Sequence, residues 1–330
     1  MQDFILPSVQ IIFFPYNCGK NVPITPKCNC FFQINVVKCK CLRGSIPTNA
    51  FSIFLTEVVY SAFYILKKGS DVSVLKSDIL SRLNNIPGKT SFYYKNLVTG
   101  ETIAINEDLP MMAASVIKIP IMVECFRQMK LGKLQKNQEY VLQDADKRPS
   151  CGALNRMHQG LTLTVADLYN LMIILSDNSA TNILIHLLGR GQINASMKEM
   201  GYNTIAVNRL LFDREASARG IENYVSAVEI ADMLEKMYNG DLVDPASDAE
   251  MLDVLKEQRL NGKIPFHFVE KVPIAHKTGE DDHITHDVGI VYGNQPFILC
   301  CMGNEVDAPA YERFMQDIAW ELYLENQDVH

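Results

Sequence analysis

The order of apolar patterns along the chain is the feature that most restricts its fold. Two strand-like runs, "TSFYYKNL" and "ETIAINED", come early, and Val98-Thr99-Gly100 between them predicts a hairpin turn. Three more strand-like runs, "VPIAHKTG", "DVGIVYG" and "PFILCCMG", occur only near the C-terminus. The stretch from about 160 to 240 has helical spacing instead. Strands at both ends of one domain predict a single sheet that both ends of the chain build.

We therefore predict an α/β protein of the α+β type. It has an antiparallel five-stranded sheet flanked by helices, with an all-helical lobe inserted at about residues 125–235. The chain of 330 residues is long enough to bury a substantial core. Its formal net charge of -7, with no run of Lys and Arg, argues against a protein that tracks nucleic-acid phosphates.

Residues 1–68 have a different character and are predicted to be an extension of unknown role, separate from a domain at 69–330. Within them the apolar run at 50–66 is interrupted by Glu57 and is shorter than the roughly 20 residues that a spanning helix needs. A cleaved secretion signal would start nearer the N-terminus, with a basic patch. The alternatives are an unrelated upstream segment or misplaced start, a membrane anchor, and an integral piece of the domain.

Cysteine placement favours a reducing compartment. Five of the nine cysteines lie between Cys18 and Cys41. Cys300 and Cys301 are adjacent in an apolar strand-like run, so their side chains point to opposite faces and do not pair with each other. Free thiols suit the cytoplasm best, and a membrane-anchored or secreted protein is the alternative.

Three polar islands interrupt apolar elements. The first, in "MMAASVIKIP", places Lys118 one helical turn after Ser115, so that both share a helix face. The same spacing in "SVLK", at residues 73–76, lies on an ordinary amphipathic helix and is interpreted as surface. The second island is Ser176-Asp177-Asn178 and the third is Lys277-Thr278-Gly279. Considered alone, the second is typical of a helix-capping cluster and the third of a strand end followed by a turn.

Taken together, the three islands resemble the motif set of class A β-lactamases and penicillin-binding proteins, in the same order and at similar spacing. The phrases "GLTLTVADLYNLMIILSDNSATN" and "HKTGEDDHITHDVGIV" are also similar to that family. The resemblance covers roughly residues 72–325. It implies a β-lactamase-like fold and makes 69–330 the catalytic domain.

The resemblance implies a set of catalytic roles. Ser115 is the expected nucleophile, and Lys118 takes its proton directly or through a relay. Ser176 passes a proton to the leaving nitrogen, and Lys277 keeps that hydroxyl in a positive field. The expected oxyanion hole consists of the backbone N–H groups of Ser115 and Glu280.

The resemblance also implies substrate contacts. Asn178 is expected to bind a substrate amide and Thr278 a substrate carboxylate, and Gly279 completes this set. His286 lies about where many class A enzymes place an arginine that attracts the carboxylate, and a mostly neutral imidazole would hold it more weakly. His283 and His286 form an H-x-x-H pattern, which occurs in metal sites. No third ligand with suitable spacing is evident, so no metal is expected, and no organic cofactor either.

The sequence departs from the family at the residue that normally activates water for deacylation. The family carries a glutamate in the loop after the second motif. The corresponding stretch is 208–227, where counting places that position at Leu211 or Phe212. The nearest carboxylates, Asp213 and Glu215, are candidates for a substitute base, although surface or loop ion pairs explain them better.

The expected function is a serine hydrolase that opens β-lactam amides through an acyl-enzyme on Ser115. The expected partner is a small-molecule substrate; nucleic acid is not expected, and a membrane only if 50–66 acts as an anchor. The missing glutamate leaves two alternatives open. One is a serine esterase or peptidase, and the other is a penicillin-binding sensor that acylates but deacylates poorly.

Overall fold

The computed structural model describes residues 72–268 and 272–327. The predicted extension at 1–68, its apolar run at 50–66 and the cysteines from Cys18 to Cys41 lie outside the described residues, so those predictions stay predictions. Within the described part, no helix combines the length and apolar character needed to cross a bilayer.

The predicted five-stranded antiparallel sheet is confirmed. Its strand order is β2-β1-β9-β8-β7, so the first N-terminal strand pairs with the last strand of the chain and the second N-terminal strand forms an edge. Asn96 closes the predicted hairpin by accepting hydrogen bonds from the amides of Val98 and Thr99. The strand bounds are β1 Lys89–Asn96, β2 Thr102–Ile105, β7 Ile274–Asp281, β8 Ile284–Val291 and β9 Phe297–Asn304.

Helices cover both faces of this sheet. Two of them, α1 and α9, come from the two ends of the described chain, and the rest lie between β2 and β7. The helix bounds are α1 Val72–Asn84, α2 Lys118–Lys130, α3 Val165–Ile174, α4 Asn178–Leu188, α5 Arg190–Glu199, α6 Arg214–Ala218, α7 Ala227–Asn239, α8 Pro245–Lys256 and α9 Ala308–Glu325.

The inserted lobe is not helical throughout. Two short antiparallel ladders occur in or beside it: β4 (Glu139–Val141) with β5 (Thr162–Thr164), and β3 (Met111–Met112) with β6 (Tyr224–Val225). Strands of two or three residues are too short for an alternating pattern to show in the sequence.

The sheet separates two apolar cores. One core lies between the sheet and the helical lobe, and it includes Cys300; the other lies between the sheet and the terminal helices, and it includes Cys301. The adjacent cysteines therefore point to opposite faces as expected, and both are free thiols.

A glycine brings the first and third motifs together. A short 3-10 helix, Ala114–Ile117, packs against β7 at Gly279. A Cβ at residue 279 would lie 3.1 Å from His286 Cδ2, 3.2 Å from Val116 Cγ2 and 3.3 Å from Ala114 Cβ. A Cβ here would crowd all three atoms, so glycine favours this close approach, which sets Ser115 beside the strand that carries Lys277.

Candidate active site

Ser115 lies at a turn that leads directly into α2. Ala114, just before it, has a positive φ of 41°, and Ser115 belongs to the 3-10 helix that precedes Lys118, the first residue of α2. This turn places Ser115 at a helix N-terminus, partly exposed, while Lys118 is fully buried. Ser73 and Lys76, which have the same spacing, are exposed and lie on α1, a helix that carries none of the three motifs.

The second motif is held in place by its aspartate. Ser176 adopts a positive φ of 52° between α3 and α4. Asp177 caps α4 by accepting from the Ala180 N–H at 3.0 Å, and its other oxygen accepts from the Ala153 and Leu154 amides at 2.7 and 2.8 Å. These bonds orient Ser176 and Asn178 toward Lys118, because they fix the backbone on either side of the serine.

The structure brings the three motifs to one place. Lys118 Nζ lies 2.9 Å from Ser115 Oγ and 2.9 Å from Ser176 Oγ. It also donates to the Ser176 carbonyl at 2.8 Å and to Asn178 Oδ1 at 2.9 Å. Lys277 Nζ donates to Ser176 Oγ at 3.1 Å and to the Thr278 carbonyl at 2.9 Å. A continuous chain of polar atoms thus connects two hydroxyls and two amines.

Burial of the two lysine amines favours their neutral forms over their charged forms. Neither Lys118 nor Lys277 has any solvent exposure. Desolvation, and after it the charge of Lys277, lowers the pKa of Lys118 well below its usual value. Desolvation likewise lowers the pKa of Lys277 to about 7, against the opposing charge of Asp287. A neutral Lys118 amine at 2.9 Å from the Ser115 hydroxyl is placed to accept its proton.

The polar chain borders a cavity of about 540 Å³. Its lining includes Ser115, Asn178 and Glu280. Ser115 and Glu280, the two residues predicted to supply oxyanion donors, therefore line the same cavity. Thr278 is buried on β7, between Lys277 and Gly279.

The loop after the second motif presents Leu211 to the cavity. Asn182 on α4 binds both backbone groups of Leu211, at 2.9 Å to the N–H and 2.9 Å to the carbonyl. Phe212 follows with a positive φ of 61° and an exposed ring. Of the two positions that counting left open, Leu211 is thus the one anchored to the helix that begins at Asn178.

The two carboxylates predicted as substitute bases lie differently. Asp213 lines the cavity, and its Oδ1 caps α6 by accepting from the Ala216 N–H at 3.0 Å. Glu215 lies in the first turn of α6 and does not belong to the cavity lining. Sequence reasoning missed Glu222, which lines the cavity and pairs with Arg209 at 2.6 Å. No pattern marks Glu222, because the fold of the loop alone brings it to Arg209.

His286 does not point into the cavity. It is fully buried over Gly279, its Nδ1 accepts from the Gly303 N–H at 3.1 Å, and its Nε2 donates to the Met112 carbonyl at 2.8 Å. Burial lowers its pKa to about 4, so the ring is neutral at pH 7. His283 lies exposed at the β7–β8 turn, and among the described residues no group of three or more His, Cys, Asp or Glu is arranged to hold a metal.

Two further residues lie near the site, and no pattern in the sequence predicts their positions there. Cys151 lines the cavity as a free thiol. Lys263 is buried behind β7, where its amine donates to the Gly279 and His286 carbonyls at 3.2 Å each. Both lie in irregular segments, so neither periodicity nor a motif could have identified them.

Comparisons with known proteins identify the family of this chain. Residues 74–325 match the model of the beta-lactamase enzyme family. The chain is 23% identical over 298 residues to beta-lactamase VEB-1 of Pseudomonas aeruginosa, covering 83% of this chain and 95% of that protein. It is also 27% identical over 138 residues to the beta-lactamase regulatory protein BlaB of Streptomyces cacaoi; that match spans 42% of this chain and less than half, 44%, of BlaB.

Solved structures show the same similarity. A beta-lactamase from Sphaerobacter thermophilus superposes with a TM-score of 0.71 at 27% identity, covering 77% of this chain and 97% of that one. PBP-A superposes with a TM-score of 0.70 at 25% identity, covering 76% and 94%. The family model spans most of the described domain and includes all three polar motifs, so the chain belongs to the beta-lactamase enzyme family.

Proposed function

We propose that this protein is a serine hydrolase that opens β-lactam amides through an acyl-enzyme on Ser115. The observation that carries the proposal is the chain of hydrogen-bonding contacts from Ser115 Oγ through Lys118 Nζ and Ser176 Oγ to Lys277 Nζ. A structural serine has no need of two buried amines, because burying an amine costs free energy that only a specific role offsets.

Acylation follows from these contacts. The neutral Lys118 amine removes the Ser115 proton, and Oγ attacks the carbonyl carbon of the lactam. The negative oxygen of the tetrahedral intermediate accepts from the backbone N–H groups of Ser115 and Glu280. When the C–N bond breaks, Ser176 gives its proton to the nitrogen and regains one from protonated Lys118, which lies 2.9 Å away. The product is an ester on Ser115 with both amines restored.

Support for β-lactams as the substrate class comes from the relatives. Proteins similar to this chain include beta-lactamases of Pseudomonas aeruginosa and Sphaerobacter thermophilus. The cavity of about 540 Å³ beside Ser115 suits a small bicyclic substrate, since ligand pockets of this size hold drug-sized molecules.

A second function is favoured by one observation, the apolar Leu211 at the cavity. Hydrolysis of the ester needs a base to activate water, and Leu211 cannot act as one. Asp213 lines the cavity and is the remaining candidate of the two carboxylates, although one of its oxygens caps α6. If Asp213 does not serve, the acyl-enzyme persists and the protein acts as a penicillin-binding sensor. A regulatory role of that kind would parallel the name of BlaB.

The test combines mass spectrometry and turnover with benzylpenicillin. In the parent protein we expect a mass increase equal to one intact benzylpenicillin. In Ser115→Ala we expect no adduct, and a rate of hydrolysis lower by roughly a thousandfold or more. Hydrolysis that survives in Ser115→Ala would refute the mechanism.

The lifetime of the adduct separates the candidate functions. Turnover within seconds supports a β-lactamase, and loss of this turnover in Asp213→Asn would assign the water-activating base to Asp213. An adduct that lasts for hours supports a sensor. Cleavage of p-nitrophenyl esters without reaction with either benzylpenicillin or a chromogenic cephalosporin would instead support the esterase alternative.

A further inference from the structure

His286 is a buried side chain that the proposed mechanism does not use. Its Nδ1 accepts a hydrogen bond from the Gly303 N–H at 3.1 Å, and its Nε2 donates to the Met112 carbonyl at 2.8 Å. One accepting and one donating nitrogen define a single neutral tautomer of the ring. Because both nitrogens are bound to backbone groups, the imidazole connects β9 to the short strand β3, which are distant in the chain.

The backbone of His286 adjoins the strand that carries one predicted oxyanion donor. His286 on β8 is paired directly with Gly279 on β7, and Glu280 follows Gly279. The ring also packs over this glycine, because a Cβ at residue 279 would lie 3.1 Å from the Cδ2 of the imidazole. The position of the His286 ring is therefore fixed relative to the backbone that leads to the Glu280 N–H.

The side chain of His286 holds the segment that leads to the other predicted donor, Ser115. Met112 lies three residues before the nucleophile and lines the cavity. Side chains from the sheet bind both of its backbone groups: its carbonyl accepts from His286 Nε2 at 2.8 Å, and its N–H donates to Asn304 Oδ1 at 2.9 Å. Met112 is thus attached to β8 and β9 through two side chains.

The turn between Met112 and Ser115 needs such support. Ala114 has a φ of 41°, a conformation that costs free energy in a residue with a side chain and that persists only where the surrounding structure maintains it. The Ala113 N–H donates to the Asn223 carbonyl at 2.8 Å and restrains the turn from the lobe. The imidazole restrains the preceding residue from the sheet, so loss of its bond would let the turn relax and move the Ser115 N–H.

We propose that His286 is a positioning residue for the oxyanion hole. It holds the segment that leads to Ser115 at a fixed separation from the strand that carries Glu280, and Asn304 assists it. His286 acts through the backbone of Met112 and not through contact with the substrate. The proposal rests on the proposed function, since an oxyanion hole matters only if Ser115 is acylated.

The protonation state of His286 suits this role. Burial lowers its pKa to about 4, and the charge of Lys263 acts in the same direction, against the hydrogen bond to Met112. The Lys263 amine donates to the His286 carbonyl at 3.2 Å. Above the lowered pKa the ring is neutral and Nδ1 accepts from Gly303, whereas a protonated Nδ1 would oppose that N–H as a second donor.

Two amide variants separate the two bonds of the ring. In His286→Gln the amide nitrogen lies near the position of Nε2 and still donates to the Met112 carbonyl. In His286→Asn the amide lies near Nδ1, accepts from Gly303 and is too short to reach Met112. We expect His286→Asn to slow acylation of Ser115 by benzylpenicillin roughly ten- to a hundredfold, and His286→Gln to stay within about threefold of the parent. Rapid quench followed by mass spectrometry gives these rates.

Binding without chemistry distinguishes this role from contact with the substrate. In the Ser115→Ala background, calorimetry gives the Kd of benzylpenicillin with and without His286→Asn. We expect the two Kd values to agree within about twofold, because an oxyanion hole stabilises the transition state and not the bound substrate. A role at the substrate carboxylate, which the sequence predicts for His286, would weaken binding of benzylpenicillin instead.

Controls separate positioning from general loss of structure. His283→Asn changes a histidine on the same β7–β8 hairpin whose side chain is 75% exposed, and it should alter neither the acylation rate nor the Kd. Urea denaturation checks that each variant is folded. If His286→Asn does not fold, Asn304→Leu removes the acceptor for the Met112 N–H and should give the same result, slower acylation at unchanged Kd.

A measurement on the parent protein needs no variant at His286. In protein labelled with nitrogen-15 at histidine, ring spectra assigned with His286→Gln should show the neutral Nε2–H tautomer at pH 7 and still at pH 5. A protonated ring at pH 6, or the Nδ1–H tautomer, would overturn the proposal.

The kinetic results overturn it equally clearly. Unchanged acylation in His286→Asn, equal losses in the Asn and Gln variants, or a weaker Kd with His286→Asn would each contradict a positioning role. Failure of the proposed function has a different signature, the absence of any benzylpenicillin adduct on Ser115 in the parent protein. The two failures are therefore distinguishable.

Discussion

At the scale of single residues, burial decides the chemistry of this site. Lys118 and Lys277 are fully buried, and desolvation lowers the pKa of each, whereas Lys76, which follows Ser73 at the same spacing, lies exposed on α1. The motifs in the sequence singled out Lys118 and Lys277. They did not predict that Lys118 would lie within 2.9 Å of two hydroxyls at once, because that depends on the loop that brings Ser176 to it.

The pKa of Lys277 predicts a pH dependence of acylation. Its pKa is lowered to about 7, so its positive charge is present below that pH and is lost as pH rises through it. We therefore expect kcat/KM for benzylpenicillin to fall by about tenfold per pH unit above this value. In Lys277→Arg the guanidinium stays protonated, so the descending limb should disappear. Finding the same limb in that variant would assign the titration to another group.

Leu211 predicts a gain of function. A carboxylate introduced by Leu211→Glu would project from a backbone that Asn182 already holds against the cavity. We expect hydrolysis of the Ser115 adduct to accelerate by about tenfold or more, since general bases contribute at least that much. Leu211→Gln is the control of matched size, without a base. Deacylation rates followed by mass spectrometry would settle this, and equal rates in both variants would contradict it.

At the scale of elements, the site depends on how one helix begins. Asp177 caps α4 and also receives two amides from the loop at residues 153–154. The loop approaches so closely that a Cβ on Gly152, whose φ is +109°, would lie 2.3 Å from the Asp177 carboxyl carbon. The residue types of the second motif predict a helix cap, and the structure shows that this cap also binds the loop at residues 153–154.

This double role predicts the stability of Asp177→Ala. Loss of the cap and of the acceptor for two further amides should lower the free energy of unfolding by about 3 kcal/mol. Asp244 is a suitable control, because it caps α8 through hydrogen bonds with Ser247 in the first turn of that helix. Asp244→Ala should cost about 1 kcal/mol. Urea denaturation measures both, and equal losses would show that the connection to the loop contributes nothing.

At the scale of the whole molecule, both ends of the described chain build one sheet. The N-terminal strand β1 pairs with β9, and β7 lies at the opposite edge from β2. The edge position of β7 leaves one side of the third motif open toward the cavity. The short 3-10 helix before α2 packs against this edge, so the nucleophile and the substrate-binding strand meet at the border between sheet and lobe.

The sequence by itself determined the five strands, their separation by a largely helical region, and the three motifs, because these follow from local periodicity and from residue types at short spacing. It did not reveal the two- and three-residue ladders or the positions of Lys263 and Glu222. Only the tertiary structure decided which carboxylates line the cavity, that His286 is buried and bound to backbone groups, and that Leu211 lines the same cavity as Ser115. The physical reason is that burial, and the pairing of charges distant in sequence, are properties of packing that no local pattern records.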